Sequence, residues 1–308
     1  MHKHFLALSD YKKDELSSWI DRAIALKAEA ASGKPQQQLA GKTVCLLFEK
    51  PSTRTRVSFE AAMYGLGGQV IFMSARDSQL GRGEPLKDTA RVLGRYVHAL
   101  VVRTFGQRVV EELAHYAGIP VINALTDLYH PCQVLSDLMT VLEKKQHLDG
   151  LNIAWIGDGN NMANTWIEAA AIFGFKLKLA CPETFTPDKD ILQRAMKQAP
   201  GSIELLHNPQ AAIAGADVVN VDVWASMGQE AEQETRLAHF SGYQLNAALL
   251  GKAKAEAIVL HCLPAHRGEE VSEEVLEGPQ SVIFDQAENK MHLHKALLEH
   301  FILQDSRA

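Results

Sequence analysis

The run Phe48-Glu49-Lys50-Pro51-Ser52-Thr53-Arg54-Thr55-Arg56-Val57-Ser58-Phe59-Glu60 sets two arginines among three closely spaced hydroxyl side chains. An apolar stretch at 44–48 precedes it, and Val57, Phe59, Ala61, Ala62 and Met63 follow at helical spacing. That order predicts a strand, a turn and a helix N-terminus. Unpaired backbone N–H groups and the helix dipole favour an anion there. Arginine adds a rigid fork of donors suited to phosphate. The other reading of the turn is an ordinary capped helix start with solvated arginines.

Five further clusters have the same form, polar residues just after an apolar stretch. Arg103 follows 99–102 and is either a site cation or an ion-pair partner. In His130-Pro131-Cys132-Gln133, proline suits the first helical position, so His130 falls at the cap. An imidazole there can donate to an oxygen gaining negative charge, and Gln133 supplies an amide. Gly157-Asp158-Gly159-Asn160-Asn161-Met162 begins like a dinucleotide loop, but Met162 stands where the third glycine belongs. Asp222-Val223-Trp224-Ala225-Ser226-Met227-Gly228 offers a carboxylate for an ammonium group, with Ser226 and the Gly228 backbone for a carboxylate. His261-Cys262-Leu263-Pro264 ends another strand, and strand alternation would point His261 and Cys262 to opposite sides. Packing alone would also account for a histidine before proline, a capped loop or a buried thiol.

The elements between these clusters alternate. Strands are expected at 44–48, 69–72, 99–102, 121–123, 152–156, 177–180, 218–222 and 258–260. Helices are expected at 9–31, 55–65, 85–96, 109–117, 131–146, 162–173, 189–198, 244–249 and 289–303. This alternation predicts an α/β fold with parallel sheets flanked by helices. The pattern restarts after the long helix at 131–146, which predicts two domains of similar size linked by long helices. Ligands in open α/β sheets bind beyond the carboxyl ends of strands, so the clusters are expected to form one composite site.

The 308 residues are 46% hydrophobic, enough for about two domains. The net charge is −6, with 31 basic and 37 acidic residues well mixed, and it lacks the basic stripe of a nucleic-acid binder. No apolar run approaches the ~18–20 residues of a membrane span, and no signal-peptide core stands at the start. Cys45, Cys132, Cys181 and Cys262 are dispersed, without a CxxC pair. A cytoplasmic protein with reduced thiols is expected.

In order and spacing, FxxPSTRTRxSFE, HPCQ, DVWASMG and HCLPAHRG resemble the aspartate/ornithine carbamoyltransferase family, specifically its ornithine branch. The resemblance covers nearly the whole chain. It implies residues 1–147 as a carbamoyl phosphate-binding domain, with 288–308 packing back on it, and 148–287 as an ornithine-binding domain. It implies that Ser52, Thr53, Arg54 and Thr55 bind the phosphate, with Gln79 as an extra contact. Arg103, His130 and Gln133 would hold the carbamoyl group, and Cys262 and Leu263 would sit between the substrates. Asn161, Asp222, Ser226 and Met227 would bind ornithine. Arg54, Arg103, His130 and Cys262 are the residues expected to act in catalysis. Lys290 stands where the family usually has arginine; it keeps the charge and loses the planar fork. No cofactor or metal is implied. A homotrimer, or a multiple of trimers, is implied, with the Gln79 loop reaching a neighbouring subunit. The alternatives are a carbamoyltransferase for putrescine or a modified ornithine, a dinucleotide-dependent oxidoreductase, and a non-catalytic anion-binding module.

Overall fold

The structure, a computed structural model, describes residues 4–74, 79, 83–225 and 233–304. The chain divides into two compact units, Met1–Met139 with Glu288–Ala308, and Thr140–Ala287. Both boundaries fall inside helices.

The first unit begins with a short 3-10 turn, Leu8–Asp10, and helix α1, Lys13–Ala31. These replace the single helix expected from Ser9. The chain straightens at Tyr11, where the backbone is extended, so the helix proper begins later. Strands β1 (Thr43–Phe48), β2 (Gln69–Ser74), β3 (Ala99–Arg103) and β4 (Val121–Leu125) alternate with α2 (Thr53–Gly65), α3 (Leu86–Tyr96) and α4 (Gln107–Ala117). They form a parallel sheet of order β2-β1-β3-β4. Apart from Thr43 at the start of β1 and Arg103 at the end of β3, the central strands are apolar and buried, as expected of strands covered on both faces. Cys45, Leu47, Leu100 and Val102 pack on α3 and α4 through Ala90, Val110 and Leu113. Helix α5, Pro131–Lys145, follows β4.

The second unit carries β5 (Asn152–Ile156), α6 (Asn161–Phe173), β6 (Lys176–Ala180), α7 (Lys189–Gln198), β7 (Ile203–Leu206), α8 (Pro209–Ile213) and β8 (Val218–Val221). Then come α9 (Gln233–His239), α10 (Ala247–Leu250), β9 (Ile258–His261), α11 (Glu273–Leu276) and the start of α12 (Ile283–Leu303), which from Glu288 onward belongs to the first unit. Its parallel sheet has the order β7-β6-β5-β8-β9. Edge strand β7 was not expected: it is only four residues long, and Glu204 breaks its apolar pattern. The helix expected at 244–249 shrinks to α10, capped by the Asn246 side chain. The last helix starts six residues before the expected position, at Ile283 rather than 289.

In both sheets the strand order reverses beside the first strand, between β1 and β3 and between β5 and β8. At such a reversal the following loops diverge and leave a crevice at the carboxyl ends. Among the described residues, no helix is long and apolar enough to cross a membrane.

Candidate active site

In the first unit the crevice lies where Phe48 and Arg103 are register partners at the ends of β1 and β3. The phosphate-type turn follows β1 directly. Ser52 caps α2, its hydroxyl accepting from Thr55 N at 3.3 Å. Thr53 is exposed, Ser52 and Arg54 are half-buried, and Thr55 is buried. Arg54 has no hydrogen-bond or ion-pair partner among the described residues. Arg56 is committed elsewhere: its Nε donates to Glu60 at 2.9 Å, and its guanidinium lies 3.7 Å from the centroid of Phe72. Of the two arginines in the turn, Arg54 is therefore the one available to a ligand.

Arg103 is buried at the end of β3. His130 is buried just before α5, where its carbonyl accepts from Val134 N at 3.2 Å. Burial first, then the charges of Lys290 and Arg103 and the ring of His294, hold the His130 imidazole well below its ordinary pKa. It is thus a neutral donor. Cys132 serves packing: its Sγ donates to Asn123 O at 3.3 Å, and burial raises its thiol to about 12.

Lys290 reaches the same place from α12. Its Nζ donates to Gln133 Oε1 at 2.8 Å and to Thr55 Oγ1 at 3.3 Å, and the residue is buried. Gln133 Nε2 donates in turn to Asp137 Oδ1 at 2.8 Å. The amide is thereby fixed with its oxygen toward the cation. Sequence reasoning missed Asp137, although its spacing of four from Gln133 on a helix was a usable signal. Gln79 is exposed, with its carbonyl accepting from Glu84 N at 3.1 Å. Most of its loop lies outside the described residues.

In the second unit the loops after β5, β8 and β9 meet. Asp222 is buried. Its Oδ2 accepts from Asn160 Nδ2 at 2.9 Å, and its Oδ1 accepts from Val223 N at 2.9 Å and from Cys262 Sγ at 3.2 Å. Asn160 also caps α6, its Oδ1 accepting from Met162 N and Ala163 N at 2.9 and 3.2 Å. Asn161, the residue expected to bind ornithine, is the first residue of α6. The bond of its neighbour Asn160 to Asp222 was not foreseen, and the place of Asn160 at a helix cap was the available signal. Ser226 and Met227 lie outside the described residues.

The expected opposition of His261 and Cys262 is not what the structure has. Ligand atoms of Asp222, His261 and Cys262 all lie within 4.8 Å of one another. Strand β9 ends at His261, and Leu263 takes a left-handed conformation, φ 59°, so alternation no longer governs Cys262. Leu263 is half-buried against the core of the second unit. His261 has a bracing part. It accepts from Leu263 N at 2.9 Å through Nδ1, and its Nε2 lies 3.0 Å from buried Glu270 Oε1.

The glycines of 157–159 serve the chain itself. Gly157 has φ 142°, and a Cβ on Gly159 would come within 2.2 Å of backbone atoms of Thr186 and Pro187. Beside them Asp158 pairs with Arg236 at 3.0 Å, and burial still raises its carboxyl to about 6.

A cationic cradle at one switch point and a carboxylate with a thiol at the other call for comparison with known proteins. Residues 3–143 match the family model for the aspartate/ornithine carbamoyltransferase carbamoyl-P binding domain, and residues 149–301 match that for the Asp/Orn binding domain. The chain belongs to the aspartate/ornithine carbamoyltransferase family. Ornithine carbamoyltransferase of Desulfotalea psychrophila is 64% identical over 302 residues, 98% of this chain and 100% of that protein. Among solved structures, ornithine carbamoyltransferase from Pyrococcus furiosus superimposes with a TM-score of 0.93 at 48% identity, covering 96% of this chain and 95% of that one. The anabolic enzyme of Campylobacter jejuni gives 0.93 at 44% identity, covering 98% and 100%. Family membership agrees with the two parallel-sheet units and with the strand-end position of every cluster described.

Proposed function

We propose that this carbamoyltransferase moves the carbamoyl group of carbamoyl phosphate to the δ-amine of L-ornithine, giving L-citrulline and phosphate in arginine metabolism. The observation that carries the assignment of roles is the cradle of the first unit. There the capped N-terminus of α2, unpaired Arg54, and Lys290 bonded to Thr55 and Gln133 stand at one strand-end crevice. Its chemistry suits a phosphate dianion.

In this reading Ser52, Thr53, Arg54 and Thr55 take the phosphate, with Gln79 as a further contact. Arg103, His130 and Gln133 hold the carbamoyl oxygen and amide. The neutral δ-amine attacks the carbamoyl carbon, and the negative charge forming on the oxygen is stabilised by Arg103, Thr55 and the uncharged His130. Phosphate leaves into the cradle, where Arg54 offsets its growing charge. Asp222, with Asn161, Ser226 and Met227, holds the amino-acid end of ornithine. Cys262, bonded to Asp222, orients the amine or passes a proton. Leu263 lies beside it. The work is positioning plus electrostatics.

The proposal extends to a homotrimer and to a cytoplasmic enzyme. The support for a second copy is the exposure of apolar Val57 and Tyr64 on α2 and of Ile71 on edge strand β2. Sedimentation of a fully active monomer would refute the trimer.

The test is citrulline formation with carbamoyl phosphate and ornithine, putrescine as the competing acceptor, and the Arg54→Ala variant in parallel. Loss of one such donor lowers turnover by roughly 10²–10³. Unchanged turnover in Arg54→Ala would remove the role given to the cradle. Preference for putrescine would remove the role given to Asp222.

A further inference from the structure

His294 stands one helical turn beyond Lys290 on α12 and is fully buried. Its ring stacks flat on Phe59, with centroids 3.5 Å apart and planes inclined by 9°. Nδ1 lies 3.1 Å from Ser58 Oγ, and the same hydroxyl donates to the Thr55 carbonyl at 3.1 Å. A serine has one proton to give. With that proton on the Thr55 carbonyl, His294 carries its own proton on Nδ1 and donates to Ser58. Burial, then the charge of Lys290, holds the ring's pKa well below its ordinary value, so the proton on Nδ1 is the ring's single one.

Helix α12 thus grips the start of α2 at two levels. Lys290 holds Thr55 by its hydroxyl, and His294 holds it by its carbonyl, through Ser58. Lysine is a point charge on a flexible stem and cannot define a direction as a planar fork does. The flat, stacked imidazole one turn away supplies the direction that Lys290 lacks.

We propose that His294 is a positioning residue of the carbamoyl phosphate site: it acts through Ser58 to fix the first turn of α2, so that Thr55 and the capped N–H groups stay in register with Lys290. The inference rests on the carbamoyl phosphate reading of that turn. A binding constellation has to be held to within about 0.5 Å, so loosening the turn weakens the anion site even though His294 touches no substrate.

The test compares the full-length native protein with His294→Phe, which keeps a flat ring on Phe59 and removes the donor, and with Ser58→Ala. His294→Asn restores a donor near the Nδ1 position. Carbamoyl phosphate affinity is measured by calorimetry without ornithine, and citrulline formation is measured at varied ornithine with saturating carbamoyl phosphate. Loss of one buried hydrogen bond gives a roughly five- to tenfold rise in the carbamoyl phosphate Kd for His294→Phe and for Ser58→Ala. The ornithine KM stays within twofold. The double variant is no weaker than the weaker single one, because both cut the same link. His294→Asn recovers most of the affinity.

A folded His294→Phe that binds carbamoyl phosphate like the native protein overturns the proposal. So do multiplying effects in the double variant, or an ornithine KM that rises in step with the Kd. If His294→Phe does not fold, Ser58→Ala decides by the same criteria. Failure of the native protein itself to bind carbamoyl phosphate would instead overturn the reading of the cradle.

Discussion

Replacing Asp222 by asparagine removes one charge and adds two hydrogens, and the surroundings of Asp222 fix the outcome. Asn160 cannot turn its amide over, because its oxygen caps α6 on Met162 N and Ala163 N. Its NH2 therefore always faces Oδ2 of residue 222. The other oxygen faces Val223 N–H at 2.9 Å. An asparagine amide has one oxygen for these two donors, so either orientation sets donor against donor. One buried group left unsatisfied costs about 1–3 kcal/mol of stability. The loss of a charge-assisted bond to the ornithine ammonium adds about 1.5–3 kcal/mol on the binding side, or roughly 10- to 100-fold in affinity. Asp222→Asn is thus expected to melt several degrees lower and to raise the ornithine KM by that factor. Its carbamoyl phosphate Kd should stay within twofold. Steady-state citrulline formation, calorimetry and thermal melting read the three quantities. An ornithine KM within threefold of native, in a folded variant, would refute the role of Asp222. An unchanged melting point would refute the donor clash.

Lys290→Arg is expected to tighten carbamoyl phosphate binding several-fold, since a fork replaces a point charge beside Thr55 and Gln133; calorimetry giving equal dissociation constants would contradict this. Stability should fall as pH drops below about 6.5. Buried His130 and His294, with His292 and His300, have lowered pKa values, so the unfolded chain takes up protons there that the folded chain refuses. Asp158, raised to about 6, opposes them with a single group below that pH. Urea unfolding at pH 7.5 and 5.5 measures the slope, and greater stability at 5.5 would contradict the argument. Gly159→Ala should destabilise by at least about 1–3 kcal/mol and disturb ornithine binding, because its Cβ would meet backbone atoms of Thr186 and Pro187 at 2.2 Å; an unshifted melting point would contradict the close approach. Citrulline formation should rise from pH 6 to 8, since the attacking amine must shed a proton with a lysine-like pKa near 10, and a falling rate would contradict attack by the neutral amine.

Much of this fold could be read from local pattern. The buried strands β1, β3, β5, β8 and β9 are short apolar runs ending in a polar cluster, and both sheet reversals place those clusters at carboxyl ends. The elements that escaped did so for different reasons. β7 forms by pairing with β6 despite Glu204, and α12 begins at Ile283, where Asp285 in the first turn was a start signal left unread. In the site, the residue types were legible and their partners were not. Nothing near Ser58 announces His294, which is 236 positions away. Nor does the run around Asn160 show that its amide will reach across to Asp222, 62 positions on.

The return of α12 to the first unit also bears on how the protein is made. A ribosome releases the phosphate turn 235 residues before Lys290. While the chain is growing, the first sheet can assemble behind it, as domains commonly do during synthesis. Its anion cradle nevertheless lacks one wall until α12 has been made. A prematurely terminated chain therefore carries the signature turn without the cation that braces Thr55. Such a fragment should hold carbamoyl phosphate more weakly than the finished enzyme does.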